Sequence, residues 1–130
     1  IVWRAPEILG HIALFYRAIR LDGQLTDVTG LGDIATAPQA RGQGIATALL
    51  DRALTIGRDS NAGFALLFGE RTLYDRAGFR LAANVYTRVD MTGAHTGDVD
   101  RVQSRFLRVL SLKAAPWPER AELDLLGPLF

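Results

Sequence analysis

With 130 residues, 48% hydrophobic and 22% charged, the chain has the composition of a soluble globular protein and the length for one core without covalent staples. The absence of cysteine excludes a disulfide framework, a thiolate nucleophile and a zinc–thiolate site. Its 15 basic and 14 acidic residues are interspersed and sum to +1, forming no basic run, so nucleic acid is not an obvious partner. No apolar run approaches the roughly 20 residues of a membrane span and no signal peptide is visible. The reading is therefore one domain, residues 1–130, suited to the cytoplasm, with neither membrane nor nucleic acid as partner.

Ile1 to Arg4 is a short β-type run closed by Pro6, and Gly10 to Leu21 is a longer one. Asp22-Gly23 marks a hairpin turn, because this pair tolerates the positive φ a tight turn requires. Leu25 to Ala37 returns as the next strand of an antiparallel meander. Its alternation predicts that Leu25, Asp27, Thr29, Leu31, Asp33 and Ala35 share a face. Gly30 and Gly32 interrupt the other face, which points to a bulge or to close approach by a ligand.

From Ile45 to Ile56 the apolar positions Ile45, Leu49, Ala53 and Ile56, joined by Ala48 and Leu50, form a helical stripe, with Gly57 as its stop. Residues 59–63 are loop, and Phe64 to Phe68 is an apolar run expected of a strand buried on both faces. Strand, helix, strand implies a parallel pair with a right-handed crossover. Arg71 to Ala77 reads as a short helix ended by Gly78. Phe79 to Asp90 reads as a strand with an irregularity at Ala82-Ala83-Asn84, and Thr92 to Asp100 as a loop. Gln103 to Leu112 fits strand or helix. Ala115-Pro116-Trp117-Pro118 excludes regular helix and central strand, and Leu123 to Phe130 is an apolar tail.

The chemistry concentrates in Gln39-Ala40-Arg41-Gly42-Gln43-Gly44, between a strand end and a helix start. The first turn of a helix carries N–H groups without intrahelical partners, and the helix dipole favours an anion there. Gly42 and Gly44 let that anion approach the backbone, and Arg41 adds a fixed cation. A pyrophosphate is the natural guest. No Lys-Ser or Lys-Thr follows the second glycine, so this is not a P-loop, and the spacing does not fit a dinucleotide-binding fingerprint.

Gln39-x-x-Gly42-x-Gly44 resembles the coenzyme A motif Q/R-x-x-G-x-G/A of the GNAT superfamily of acyl-CoA-dependent N-acyltransferases, and Leu73-Tyr74-Asp75-Arg76-Ala77-Gly78-Phe79 is similar to its later L-Y-x-x-x-G-F signature. The resemblance covers Gly10 to Phe79. It implies an α/β GNAT fold: a mixed, mostly antiparallel sheet with a parallel strand–helix–strand unit at the CoA site. The family's first strand and two helices are expected to be missing, since the chain opens Ile1-Val2-Trp3-Arg4 without an initiator Met. It also favours strand for Gln103 to Leu112.

The resemblance further implies acetyl-CoA as cosubstrate, no metal, and direct transfer of acetyl to a primary amine of a small molecule, with room for a homodimer. Arg41, Gly42, Gln43, Gly44, Ile45 and Ala46 would hold the pyrophosphate, and Ile34, Ala35 and Thr36 the pantetheine arm. Tyr74 would assist the departing thiolate as general acid; its alternative is a tyrosine packed against the sheet. Asp33, directly or through a water, is the carboxylate best placed to take the amine proton, with Asp27 and Glu70 behind it. Gly32, Asp33, Asp124 and Phe130 would face the acceptor. Asp124 and the carboxylate of Phe130 enter through a short likeness of the tail to aminoglycoside 2'-N-acetyltransferases, where they would contact cationic amines. An apolar tail covering the core, a longer acyl chain as in the nodulation N-acyltransferases, and a non-catalytic acyl-CoA sensor are the other readings. His11 and His95 lack metal-ligand companions and read as structural or solvent-facing.

Overall fold

The computed structural model describes residues 1–130, apart from the side chain of residue 94. It is a mixed α/β fold built on one nine-stranded sheet. Strands β1 (Val2–Arg4), β2 (Glu7–Leu21) and β3 (Gln24–Thr36) form the expected meander, and β2 turns into β3 through Asp22 and Gly23 at φ of 47° and 83°. Helix α1 (Ile45–Asp59) then crosses over to β4 (Phe64–Phe68), which pairs parallel to β3 from Val28↔Phe64 to Leu31↔Leu67. Helix α2 (Thr72–Arg76) follows, then β5 (Arg80–Leu81), β6 (Tyr86–Val89), β7 (Val99–Val102), β8 (Leu107–Ser111) and β9 (Leu123–Asp124). The sheet order is β5-β8-β4-β3-β2-β9-β6-β7, with β1 beside the start of β2.

β4 is apolar throughout because both its faces are covered. Phe64 and Leu66 enter one core layer with Ile19, Val28, Val109 and Leu123. Ala65 and Leu67 enter the other, with Leu31, Leu50, Ala53, Leu54 and Tyr74 beneath the two helices. Each fully buried Leu or Ile removes enough apolar surface from water to contribute about 1.5–3 kcal/mol.

Three expectations change here. The buried stripe of α1 is Leu49, Leu50, Ala53, Leu54 and Gly57, whereas Ile56 is 44% exposed. Gly57 does not stop the helix; it lies inside it, where an added Cβ would come 3.1 Å from Leu112 Cδ1. The bulge on β3 falls after the glycines: the register jumps from Ala13↔Gly32 to His11↔Ala35, and Asp33 takes a left-handed φ of 49°. That extra residue reverses the alternation, so Ile34 packs on the same side as Leu31 and the single shared face ends at Leu31.

The irregularity at Ala82–Asn84 separates strands with different partners, β5 on β8 and β6 on β7 and β9. Asn84 is 3% exposed; it donates to the Pro118 and Ala121 carbonyls (3.0 and 2.8 Å) and accepts from Trp117 Nε1 (2.9 Å). Asn84→Leu strands three buried groups, each at roughly 1–3 kcal/mol. We expect a loss of about 3 kcal/mol or more, read as a lower urea midpoint at unchanged slope. A midpoint within error of the parent would show that water replaces the network.

Candidate active site

After Leu31↔Leu67 the two parallel strands part: β4 ends at Phe68, while β3 runs on through the bulge to Thr36 with that edge unpaired. The gap continues into a cleft of about 600 Å³. One wall is the Ile34–Thr36 edge, the second the turn and first residues of α1, and the third α2 with Arg71. Gly42 and Gly44 adopt φ of 76° and 77°, and no atom lies within 4 Å of where a Cβ would sit on either. These left-handed glycines turn the chain so that the open first turn of α1 faces the cleft. Arg41, Arg71 and Arg76 add positive charge around it, and none is ion-paired among the described residues.

Of the residues expected to hold the cosubstrate, Ile34, Ala35, Thr36, Arg41, Gly42, Gly44, Ile45 and Ala46 line this cleft. Gln43 is exposed and does not line it. Sequence reasoning missed the wall from α2, Arg71, Thr72, Leu73 and Arg76; the basic residues just before and within the Leu73–Phe79 motif were the available signal.

Tyr74 is 7% exposed, edge-on to Phe79, with its phenol ring and hydroxyl against Gly69 just past β4. Arg108, also missed, fixes that corner. Its Nε donates to Gly69 O (2.8 Å) and its Nη1 binds Asp75 on the same turn of α2 as Tyr74. Asp33 is exposed at the bulge, where its carbonyl accepts a hydrogen bond from His11 Nδ1 (3.0 Å). Asp27 lies toward the far end of β3, and Glu70 stands 4.0 Å from Arg105.

The acceptor residues divide. Phe130 rests on β3 at the start of the gap: a Cβ on Gly30 would overlap its ring, and one on Gly32 would come 2.8 Å from its main-chain carbonyl carbon. The close approach signalled by the two glycines is thus made by the chain's own tail. Phe130 also stacks near Phe68 (6.3 Å) and Phe15 (6.2 Å), and the Arg17 guanidinium lies 4.1 Å above its ring. Burial pushes Arg17 below the ordinary arginine range. Asp124 is not in the site. It pairs with Arg20 in β9, accepts from the Leu126 amide, and sits on β2's opposite end from His11, roughly 30 Å away at about 3.3 Å per residue. Its place is set by strand pairing, which the short likeness of the tail could not reveal.

A strand splayed from its parallel neighbour, with a glycine turn opening a helix onto the gap, is the architecture of the GNAT acetyltransferases. The chain belongs to that family: the model of the acetyltransferase (GNAT) domain matches residues 1–82. Among solved structures it is similar to the GNAT family N-acetyltransferase YhbS of Escherichia coli in complex with CoA, at 20% identity and TM-score 0.64, over 91% of this chain and 60% of that one. A GNAT family acetyltransferase of Brucella melitensis in complex with acetyl-CoA is similar at 21% identity and TM-score 0.62, over 93% and 60%. A Bacillus subtilis acetyltransferase in complex with CoA gives 18% and 0.55, over 84% and 72%. No curated protein matches. The chain therefore spans about 60% of the length of the first two of these structures. Among the described residues no helix is long and apolar enough to cross a membrane, and no group of three or more His, Cys, Asp or Glu is placed to hold a metal.

Proposed function

We propose that this chain carries the acyl-CoA site of an N-acetyltransferase that moves acetyl from acetyl-CoA directly to a primary amine. The observation that carries the reading is the cleft where β3 leaves β4, closed at one end by the open first turn of α1. The similar proteins captured with CoA and acetyl-CoA support it.

In this mechanism the amides of Ile45 to Thr47 and the Arg41 guanidinium hold the pyrophosphate, and the unpaired edge at Ile34 and Thr36 receives the pantetheine as an added strand would. The neutral amine attacks the thioester carbon, and the C–S bond breaks as the amide forms. Asp33, or a water it positions, takes the amine proton, and the Tyr74 hydroxyl gives a proton to the departing sulfur. Arg108 is a positioning residue, since it ties α2 to the end of β4.

The test follows CoA thiol release over a panel of primary amines, with Tyr74→Phe beside the parent. We expect turnover by the parent and a loss of about 100-fold in kcat for the variant, at unchanged acetyl-CoA affinity. Equal rates would return Tyr74 to the core. CoA binding without turnover on any amine would make the chain an acyl-CoA sensor.

A further inference from the structure

The charge of the acceptor can be read from the face of the sheet opposite α1, and the reading rests on the acetyl transfer proposed above. On β2 the side chains of Phe15 and Arg17 share that face with Ile19 and Leu21, by strand alternation. On β6, Arg88 shares it with Tyr86, which pairs in register with Leu123. The tail bridges the two strands that carry these arginines: Val89 N, next to Arg88, donates to Gly127 O (3.0 Å), and Arg17 Nη2 donates to Pro128 O. Phe130 then forms a flat floor beneath Arg17 where the gap between β3 and β4 begins.

Arg17 and Arg88 each bury an Nε with no hydrogen-bond partner, two of the three side-chain atoms so stranded among the described residues. Arg17 has no carboxylate partner among those residues, and Arg88 has only Asp100, its cross-strand neighbour, at 3.8 Å. Each guanidinium carries five N–H donors, more than the contacts named here occupy. Asp124, the acid expected to greet a cationic amine, pairs in register with Thr87 and so points to the other face.

We propose that the amine acceptor carries a carboxylate, as an α-amino acid does, and that Arg17, seconded by Arg88, binds it while the amine reaches the thioester beside the bulge. The planar guanidinium fork matches the two oxygens of a carboxylate. One unpaired arginine and a second already shared with Asp100 suit a single negative charge. A polycationic acceptor would meet two like charges on that face. The carboxylate is bound and not consumed, so the reaction remains amine attack with loss of the CoA thiolate.

The test titrates the CoA-loaded chain with N-acetylglycine, N-acetylleucine and N-acetylphenylalanine, each against its own carboxamide. At least one acid is expected to bind tenfold or more tightly than its amide. Arg17→Gln is expected to erase that ratio, Arg17→Lys to keep part of it, and Arg88→Gln to reduce it less. If Arg17 only straps the tail, Arg17→Gln lowers the melting temperature and leaves the ratio intact, which overturns the proposal. Amides binding as well as the acids, or neither binding while CoA binds, also overturns it, and the acyl-CoA reading survives. Failure to bind CoA at all sinks both.

Discussion

Gly44→Trp is expected to weaken acetyl-CoA binding at least 100-fold in titration calorimetry, about 3 kcal/mol. Gly44 caps α1 at φ 77°, and nothing stands within 4 Å of its absent Cβ. An indole there meets no protein atom at its root and can grow into the cleft lined by Ile45, Ala46 and Thr47, where the proposed function puts the pyrophosphate. A left-handed φ also costs any residue with a Cβ, roughly 1–2 kcal/mol. Gly44→Ala separates the two effects, since it carries the same strain without the bulk. It should lower the melting temperature as much as Trp does while keeping most of the affinity. Undiminished binding by Gly44→Trp would mean that the phosphates lie elsewhere.

Gly30→Ala is expected to expel Phe130 from its seat, because the new methyl would overlap the ring. Overpacking of this kind typically costs about 1–3 kcal/mol, and we expect the upper half of that range by urea unfolding. Gly30 lies in mid-strand, paired to Phe15 on one side and Leu66 on the other, so the backbone itself cannot retreat. Combining Gly30→Ala with Phe130→Ala should remove most of the penalty, a coupling of about 1 kcal/mol or more. Additive losses in the double variant would show that the ring is not what the methyl strikes. Because Phe130 also floors the proposed carboxylate site, Gly30→Ala should raise KM for the acceptor and leave acetyl-CoA affinity unchanged.

What the sequence made legible is what neighbours along the chain decide. The cleft itself was readable because strand end, glycine turn and helix start are contiguous, so Arg41 to Ala46 line it apart from Gln43, which is exposed. Tyr74 stands beside the end of β4 because its motif sets the length of α2. The bulge was sensed two residues early. Glycine is the usual marker of odd backbone, yet here an aspartate, which tolerates the left-handed region better than most residues, carries it. Gly30 and Gly32 answer instead to Phe130, a residue from the far end of the chain that leaves no local trace.

The turn of the α1 stripe has the same origin, since Gly57 is buried to admit Leu112 and only the fold sets the two together. Asn84 reads locally as a weak strand former, yet it holds Trp117 and two carbonyls beyond it. Arg108 and Arg17 read as ordinary strand cations, and their partners likewise come from distant segments.

Strand β9 has only two residues, but it alone joins β2 to β6, and so carries the β6–β7 hairpin. A hydrogen bond at the same junction, Glu122 N to Asp22 Oδ1, links residues 100 positions apart. Ordered by time, the β2–β3 hairpin, α1 and β4 can assemble from a contiguous stretch early in synthesis, whereas β6 and β7 wait for β9. Closing so long a loop is slow, because its entropy is lost before any contact repays it. The cleft lined by β3, α1 and α2 is therefore built before the Phe130 floor, so on the function proposed above an immature chain would hold a place for the acyl donor before one for the amine.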